Sequence, residues 1–289
     1  MSQDTFSDSA LMLIGHGSTR NVESAAPTYQ HAAELRRRGL FAQVSEAFWK
    51  QEPAISTVLR GLTARRVFIV PIFISEGYFT EEVIPRELGL RKEGEKDFPR
   101  IQQRGSQTLH YCGPIGTHNS MTEALLARAR DEVANFPGQG TSPAPAELTL
   151  FIAGHGTSEN ENSRRAIERQ ADLIQARKIY AAVHAVFMEE QPRIADCYEM
   201  TRTKNFIVVP FFISDGMHVR EDIPVLLGEP PEAVQKRLRQ GEPTWRNPTE
   251  RNGKVIWYTP GIGSEPHIPD VILERVREIA GPASLEFVN

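Results

Sequence analysis

The chain carries one pattern twice. Gly15-His16-Gly17-Ser18 returns 139 residues later as Gly154-His155-Gly156-Thr157. The same offset takes Phe48 to Phe187, Pro53 to Pro192, Pro71 to Pro210, and Phe73-Ile74-Ser75 to Phe212-Ile213-Ser214. It also takes Gly77 to Gly216 and Ile84-Pro85 to Ile223-Pro224. One ungapped register over this span marks an internal duplication. With 289 residues, each copy is long enough to bury a core of its own.

Each copy alternates strand and helix signals. Short apolar runs at 11–14 and 148–153 end at Gly-His-Gly, as buried strands would. Mixed segments of helical length follow at 23–38 and 162–177, then strands at 44–48 and 181–187. Helices are expected to open near Pro53 and Pro192, since proline suits a first turn. Segments 67–74 and 206–213 are dense in β-branched and aromatic residues and read as central strands. Segments 109–111 and 255–258 are the expected fourth strands, leading into last helices at 121–135 and 269–280. The fold class is therefore α/β: two tandem domains, each a four-stranded parallel sheet with helices on both faces. The expected boundaries are 1–136 and 148–289, joined by a Pro/Gly/Ser-rich linker at 137–147. The second copy has an extra stretch, 229–252, that reads as a surface excursion or an interface element.

Composition excludes some classes. Apolar residues make 40% and charged residues 24%, the proportions of a soluble globular protein. A net charge of −4 gives no basic face for nucleic acid. No apolar run has the length of a membrane span, about 18 to 20 residues, and the first ten residues lack the pattern of a signal peptide. Cys112 and Cys197 have no CxxC partner, so two inert thiols and a cytoplasmic protein are expected.

In a parallel α/β sheet, chemistry gathers on loops beyond the carboxyl ends of the strands. Three such loops of the second copy carry His155, Glu189 and His218. Imidazole nitrogen with carboxylate oxygen suits cobalt, nickel, iron(II) or zinc, and three protein ligands leave positions open for catalysis. Each residue alone has a plainer reading: His155 as a hydrogen-bonding loop residue, Glu189 beside Glu190 as a solvated acid, His218 as a cap of the next turn. The first copy serves as an internal control. It keeps His16, but Lys50 stands where Glu189 does and Phe79 where His218 does. His31, His110, His118, His184 and His267 show no such grouping and read as structural.

Three segments carry a resemblance to a known family: Gly154-His155-Gly156-Thr157, Phe187-Met188-Glu189 with Pro192, and Val209 through His218 running on to Asp222-Ile223-Pro224. They resemble the sirohydrochlorin cobaltochelatases and ferrochelatases, class II tetrapyrrole chelatases, in a two-domain form. The resemblance implies two flavodoxin-like, chelatase-type domains facing across a cleft, with the working site in the second. It implies ATP-independent insertion of a divalent metal into sirohydrochlorin or a close relative. Co2+ for cobalamin is the first choice, Fe2+ for sirohaem the second, with Ni2+ also compatible. No organic cofactor is implied, and no GxxxxGK[ST] phosphate loop is found. His155, Glu189 and His218 are then both metal ligands and catalytic groups, with His155 as a proton acceptor. Gly156, Thr157, Ser214, Asp215, Gly216, Met217, His16 and Arg220 are the expected substrate-binding residues. Arg20, Lys50 and Arg220 are the cations available to an octacarboxylate substrate. Family members also include short forms that dimerise, so the duplication can replace a dimer and a monomer suffices.

Two other classes fit less well. Histidine phosphatases place Arg before the His of the first strand, where Gly15 and Gly154 stand here, and a nucleophile elbow needs G-x-S-x-G. A non-catalytic metal or tetrapyrrole carrier would use the same ligands as a chelatase, and only an insertion assay separates the two.

Overall fold

The computed structural model describes residues 6–19, 21–138, 142–156 and 161–281. These form two compact units, each described by itself. Unit 1 holds β1 (Phe6–Gly15), α1 (Ala26–Arg38), β2 (Phe41–Phe48), α2 (Ile55–Gly61) and β3 (Arg66–Pro71). A five-residue π turn (Phe79–Val83), α3 (Ile84–Glu87), β4 (Ile101–Arg104) and β5 (Gln107–Tyr111) follow. Its sheet has the order β2-β1-β3-β5-β4. Strand pleating divides the side chains of β1 between two faces. Ala10, Met12 and Ile14 pack with Ile55 and Leu59 of α2 and Ile84 of α3. Leu11 and Leu13, equally buried, point to the opposite face, where α1 lies on β1 and β2. Both faces being covered explains why the strands read as unbroken apolar runs.

Unit 2 repeats the plan. Along the chain come α4 (Met121–Asn135), β6 (Leu148–Gly154), α5 (Glu161–Ala176), β7 (Ala182–Phe187), α6 (Cys197–Met200) and β8 (Asn205–Pro210). A second π turn (His218–Asp222), α7 (Ile223–Leu226), α8 (Pro231–Gln240), β9 (Thr249–Arg251) and β10 (Lys254–Tyr258) complete it. The sheet order, β7-β6-β8-β10-β9, is that of unit 1.

The compact units do not end where the sequence boundaries were expected. The last helix of the chain, α9 (Ile268–Ala280), packs on β3 and β5 and belongs to unit 1. Helix α4, which follows β5 directly, packs on β8 and β10 and belongs to unit 2. The two seats are equivalent, so the repeats have exchanged their final helices. Residues 121–138 and 142–147 therefore run within unit 2, where the Trp257 indole N–H donates to the Phe136 carbonyl at 2.8 Å.

Three other expectations change, and one is refined. Each sheet has a fifth strand, β4 or β9, running antiparallel at the edge beside β5 or β10. Helices do open near Pro53 and Pro192, α2 at Ile55 and a 3-10 turn at Ile194 that leads into α6, but the two prolines themselves precede the first turn. Their carbonyls accept from the Phe48 and Phe187 N–H groups, both at 2.9 Å, and close the loop just after β2 and β7. Strands β3 and β8 stop at Pro71 and Pro210, short of residues 74 and 213, and the chain bends away before each π turn. The 229–252 stretch is no surface excursion. Trp245 is in the core against Tyr258, and α8 packs on the second π turn. Buried Glu229 fixes the stretch by pairing with Arg237 at 2.6 Å and Arg251 at 2.7 Å. No helix among the described residues is long and apolar enough to cross a membrane.

Candidate metal centre

The centre is built from backbone outwards. Strand β6 ends in Gly154, whose absent Cβ would lie 2.0 Å from Ile167 Cδ1 of α5. Gly156 has φ +66°, and a Cβ there would press on Phe187 and Glu190 at 2.8 and 2.7 Å. Only glycine meets both demands, positive φ and close approach. His155 is thus held at the strand end by a frame that leaves its side chain half-buried. Its carbonyl accepts from the Glu189 N–H at 3.1 Å, which brings that residue alongside. The third residue, His218, opens the second π turn, where the Ile223 N–H donates five residues back to the His218 carbonyl. Such wide turns recur at functional sites. The Tyr258 hydroxyl donates to the Val219 carbonyl at 2.6 Å and pins the turn to the sheet.

The structure brings His155, Glu189 and His218 together. The two imidazole centroids are 4.9 Å apart with planes at 75°. His155 Nε2 lies 3.7 Å from Glu189 Oε1, beyond direct hydrogen bonding. His155 Nδ1 lies 3.1 Å from the Gly156 carbonyl. A carbonyl only accepts, so this bond assigns the proton to Nδ1 and leaves the Nε2 lone pair free. Two acceptors, one imidazole and one carboxylate, therefore face one space. Among the described residues no group of three or more His, Cys, Asp or Glu side chains is placed to hold a metal ion. The arrangement is an open pair of imidazoles with a carboxylate at its edge. Adjacent Glu190 turns elsewhere, to Arg164 at 2.9 Å, and Arg164 lies over the Phe187 ring. The two neighbouring acids are thereby told apart.

Of the expected substrate-binding residues, Gly156 serves the backbone conformation just described. Ser214 and Gly216 are half-buried on the loop between β8 and the π turn, while Met217 and Arg220 are exposed. Asp215 accepts from the Gly261 N–H at 2.6 Å, so one of its oxygens ties the loop to the segment after β10. Thr157 and Arg20 lie outside the described residues.

In unit 1 the same frame carries different side chains. The Lys50 N–H donates to the His16 carbonyl at 3.0 Å, as Glu189 does to His155. His16 is ringed by Trp49, Phe79 and Phe73, with centroids at 5.5, 4.8 and 6.4 Å. The Lys50 ammonium lies over the Trp49 ring at 4.7 Å. Ring packing surrounds His16 there, where His155 has a carboxylate and a second imidazole beside it.

The sequence reading did not single out one carboxylate that touches the set. Asp222 Oδ2 lies 2.7 Å from His218 Nδ1. Its signal was available: a carboxylate four residues after a histidine, at the spacing that shares a helix face. Among the remaining histidines, burial holds His110, His118 and His184 below the ordinary imidazole range. His31 is almost fully buried in α1. Cys112 and Cys197 are buried free thiols, Cys112 pushed up by burial to about 12, as inert thiols should be.

The chain is similar to known proteins along most of its length. The CbiX family model matches twice, over residues 10–132 and 149–279, once per repeat. The probable sirohydrochlorin cobaltochelatase of Halobacterium salinarum is 41% identical, across 94% of this chain and 92% of its own. The sirohydrochlorin ferrochelatase of Bacillus subtilis is 22% identical across 96% and 94%. A multi-domain Deinococcus radiodurans protein, described as similar to chelatases with two additional domains, superposes with a TM-score of 0.76. It is 30% identical, and the match covers 96% of this chain and 56% of that one. The chain is a member of the CbiX family.

Proposed function

We propose that the protein inserts a divalent metal, Co2+ first, into sirohydrochlorin without a nucleotide, and that unit 2 carries the reaction. The observation that supports this reading is the convergence of His155, Glu189 and His218 at the carboxyl end of one sheet. Metal and tetrapyrrole are both substrates. His155 and His218 hold the ion through Nε2 while it sheds water. Glu189 lowers the cost of bringing a cation out of solvent and accepts one of the two pyrrole N–H protons that the metal displaces; His155 accepts the other through Nε2 once the ion has passed from it to the macrocycle. Ser214, Gly216 and Met217 line the approach to the ion, and Arg220 answers the substrate's carboxylates. His16 and Lys50 present an aromatic and cationic surface to the same substrate class. Two repeats in one chain let a monomer suffice, and two buried free thiols suit a reducing cytoplasm.

Iron is the second reading for the metal, favoured by the name of the Bacillus subtilis relative. Imidazole and carboxylate donors accept Co2+, Ni2+ and Fe2+ alike, with nickel and cobalt ahead of iron in intrinsic affinity. The test is sirohydrochlorin mixed with Co2+ or Fe2+ under anaerobic conditions, followed by absorbance with and without protein. A chelatase accelerates the spectral change, faster with Co2+ than with Fe2+. Binding without acceleration would make the protein a carrier.

A further inference from the structure

We infer that Asp222 is a positioning residue for His218: it fixes the imidazole with the proton on Nδ1, so that Nε2 is presented to the metal. The inference rests on the proposed reading of His218 as a ligand. The π turn supplies the geometry. His218 and Asp222 are its first and last residues, and their side chains meet at 2.7 Å between Nδ1 and Oδ2. A carboxylate at this distance accepts, so the imidazole donates through Nδ1. Nε2 is left as the nitrogen with a lone pair. A carboxylate partner also makes the opposite nitrogen a stronger donor to a metal.

His155 reaches the same tautomer by another route, through its bond to the Gly156 carbonyl. Both imidazoles are thereby assigned Nε2 as the free nitrogen. The difference lies in the partner. A neutral carbonyl holds His155, whereas a carboxylate holds His218 and adds charge behind the ring.

The repeat provides an independent observation. In unit 1 the turn has the same length and start, Phe79–Val83, and the Tyr111 hydroxyl donates to the Thr80 carbonyl at 2.7 Å just as Tyr258 does to Val219. Yet Phe79 stands for His218 and buried Val83 for Asp222. The turn keeps its shape without the carboxylate, so Asp222 is not required to form it. The carboxylate is absent from the copy in which the imidazole is absent. Neighbouring Glu221 does not compete, since its side chain is engaged by Gln235 of α8.

The full-length protein tests this in three measurements. Co2+ is titrated without tetrapyrrole and followed by its visible d–d absorption, comparing wild type, Asp222→Asn, Asp222→Glu and His218→Ala. Asp222→Asn should weaken Co2+ binding by about 10- to 100-fold while keeping the band positions, because the ligand set is unchanged. Asp222→Glu should recover part of the affinity. Metal-free 15N NMR of the imidazoles should show His218 protonated at Nδ1 in wild type and a mixture of tautomers in Asp222→Asn. Wild-type affinity and an unaltered tautomer in Asp222→Asn would overturn the inference, as would shifted bands that made Asp222 itself a ligand. If His218→Ala leaves Co2+ binding intact, the reading of His218 as a ligand fails instead. Should Asp222→Asn not fold, the wild-type tautomer decides: protonation at Nε2 refutes the inference.

Discussion

Unit 1 and unit 2 hold the same backbone around different chemistry. In both, a glycine with positive φ follows a half-buried histidine, the next strand's end donates an N–H to that histidine's carbonyl, and a π turn faces it. One frame carries Glu189, His218 and Asp222, and the other carries Lys50, Phe79 and Val83. The difference teaches that the Gly-His-Gly segment is a conformational device, since it survives where those three polar side chains do not. On the proposed reading, three side chains added to that device set the chemistry.

The largest effect should come from the histidines. His155→Ala and His218→Ala should each lower the rate of Co2+ insertion by more than about 100-fold, above the usual cost of losing a partner behind a ligand. His16→Ala should change it only severalfold, and a greater loss at His16 would reverse the assignment of the two units. A constructive version sharpens the point. Lys50→Glu, Phe79→His and Val83→Asp together would copy the unit 2 side chains into unit 1. Equilibrium dialysis should then find a second Co2+ bound per chain, and a stoichiometry that stays at one would show that the frames are less equivalent than their hydrogen bonds suggest. The smallest effect should be shared. Cβ atoms at Gly116 and Gly263 would lie 2.1 and 1.9 Å from the carbonyls of Ile74 and Ile213. Gly116→Ala and Gly263→Ala should each cost about 1–3 kcal/mol, read as matched falls in thermal midpoint. Unequal falls would mean that only one loop is held rigidly.

Much of this was legible in the sequence because it is local or repeated. Apolar runs ending in Gly-His-Gly located the first strands, and subtraction of the repeats singled out Glu189 and His218. What escaped lacks a local signal. Strand β4 reads Ile-Gln-Gln-Arg and is mostly exposed, so no apolar alternation announces it. Trp245 gave no hint that its stretch belongs to a core, because burial there depends on the distant Tyr258. The exchange of α4 and α9 is invisible for a different reason. Either helix would bury its apolar side on either sheet, and periodicity reports the face rather than the partner.

That exchange bears on the order in which the molecule is made. Unit 2 is contiguous, residues 121–265, and every strand and helix it needs has been synthesised before α9 begins. Unit 1 starts first but lacks the cover for β3 and β5 until residues 268–280 leave the ribosome. Domains ordinarily fold in the order of synthesis, the N-terminal one ahead. Here the half that bears His155, Glu189 and His218 has all its residues synthesised before the last core helix of the half that precedes it.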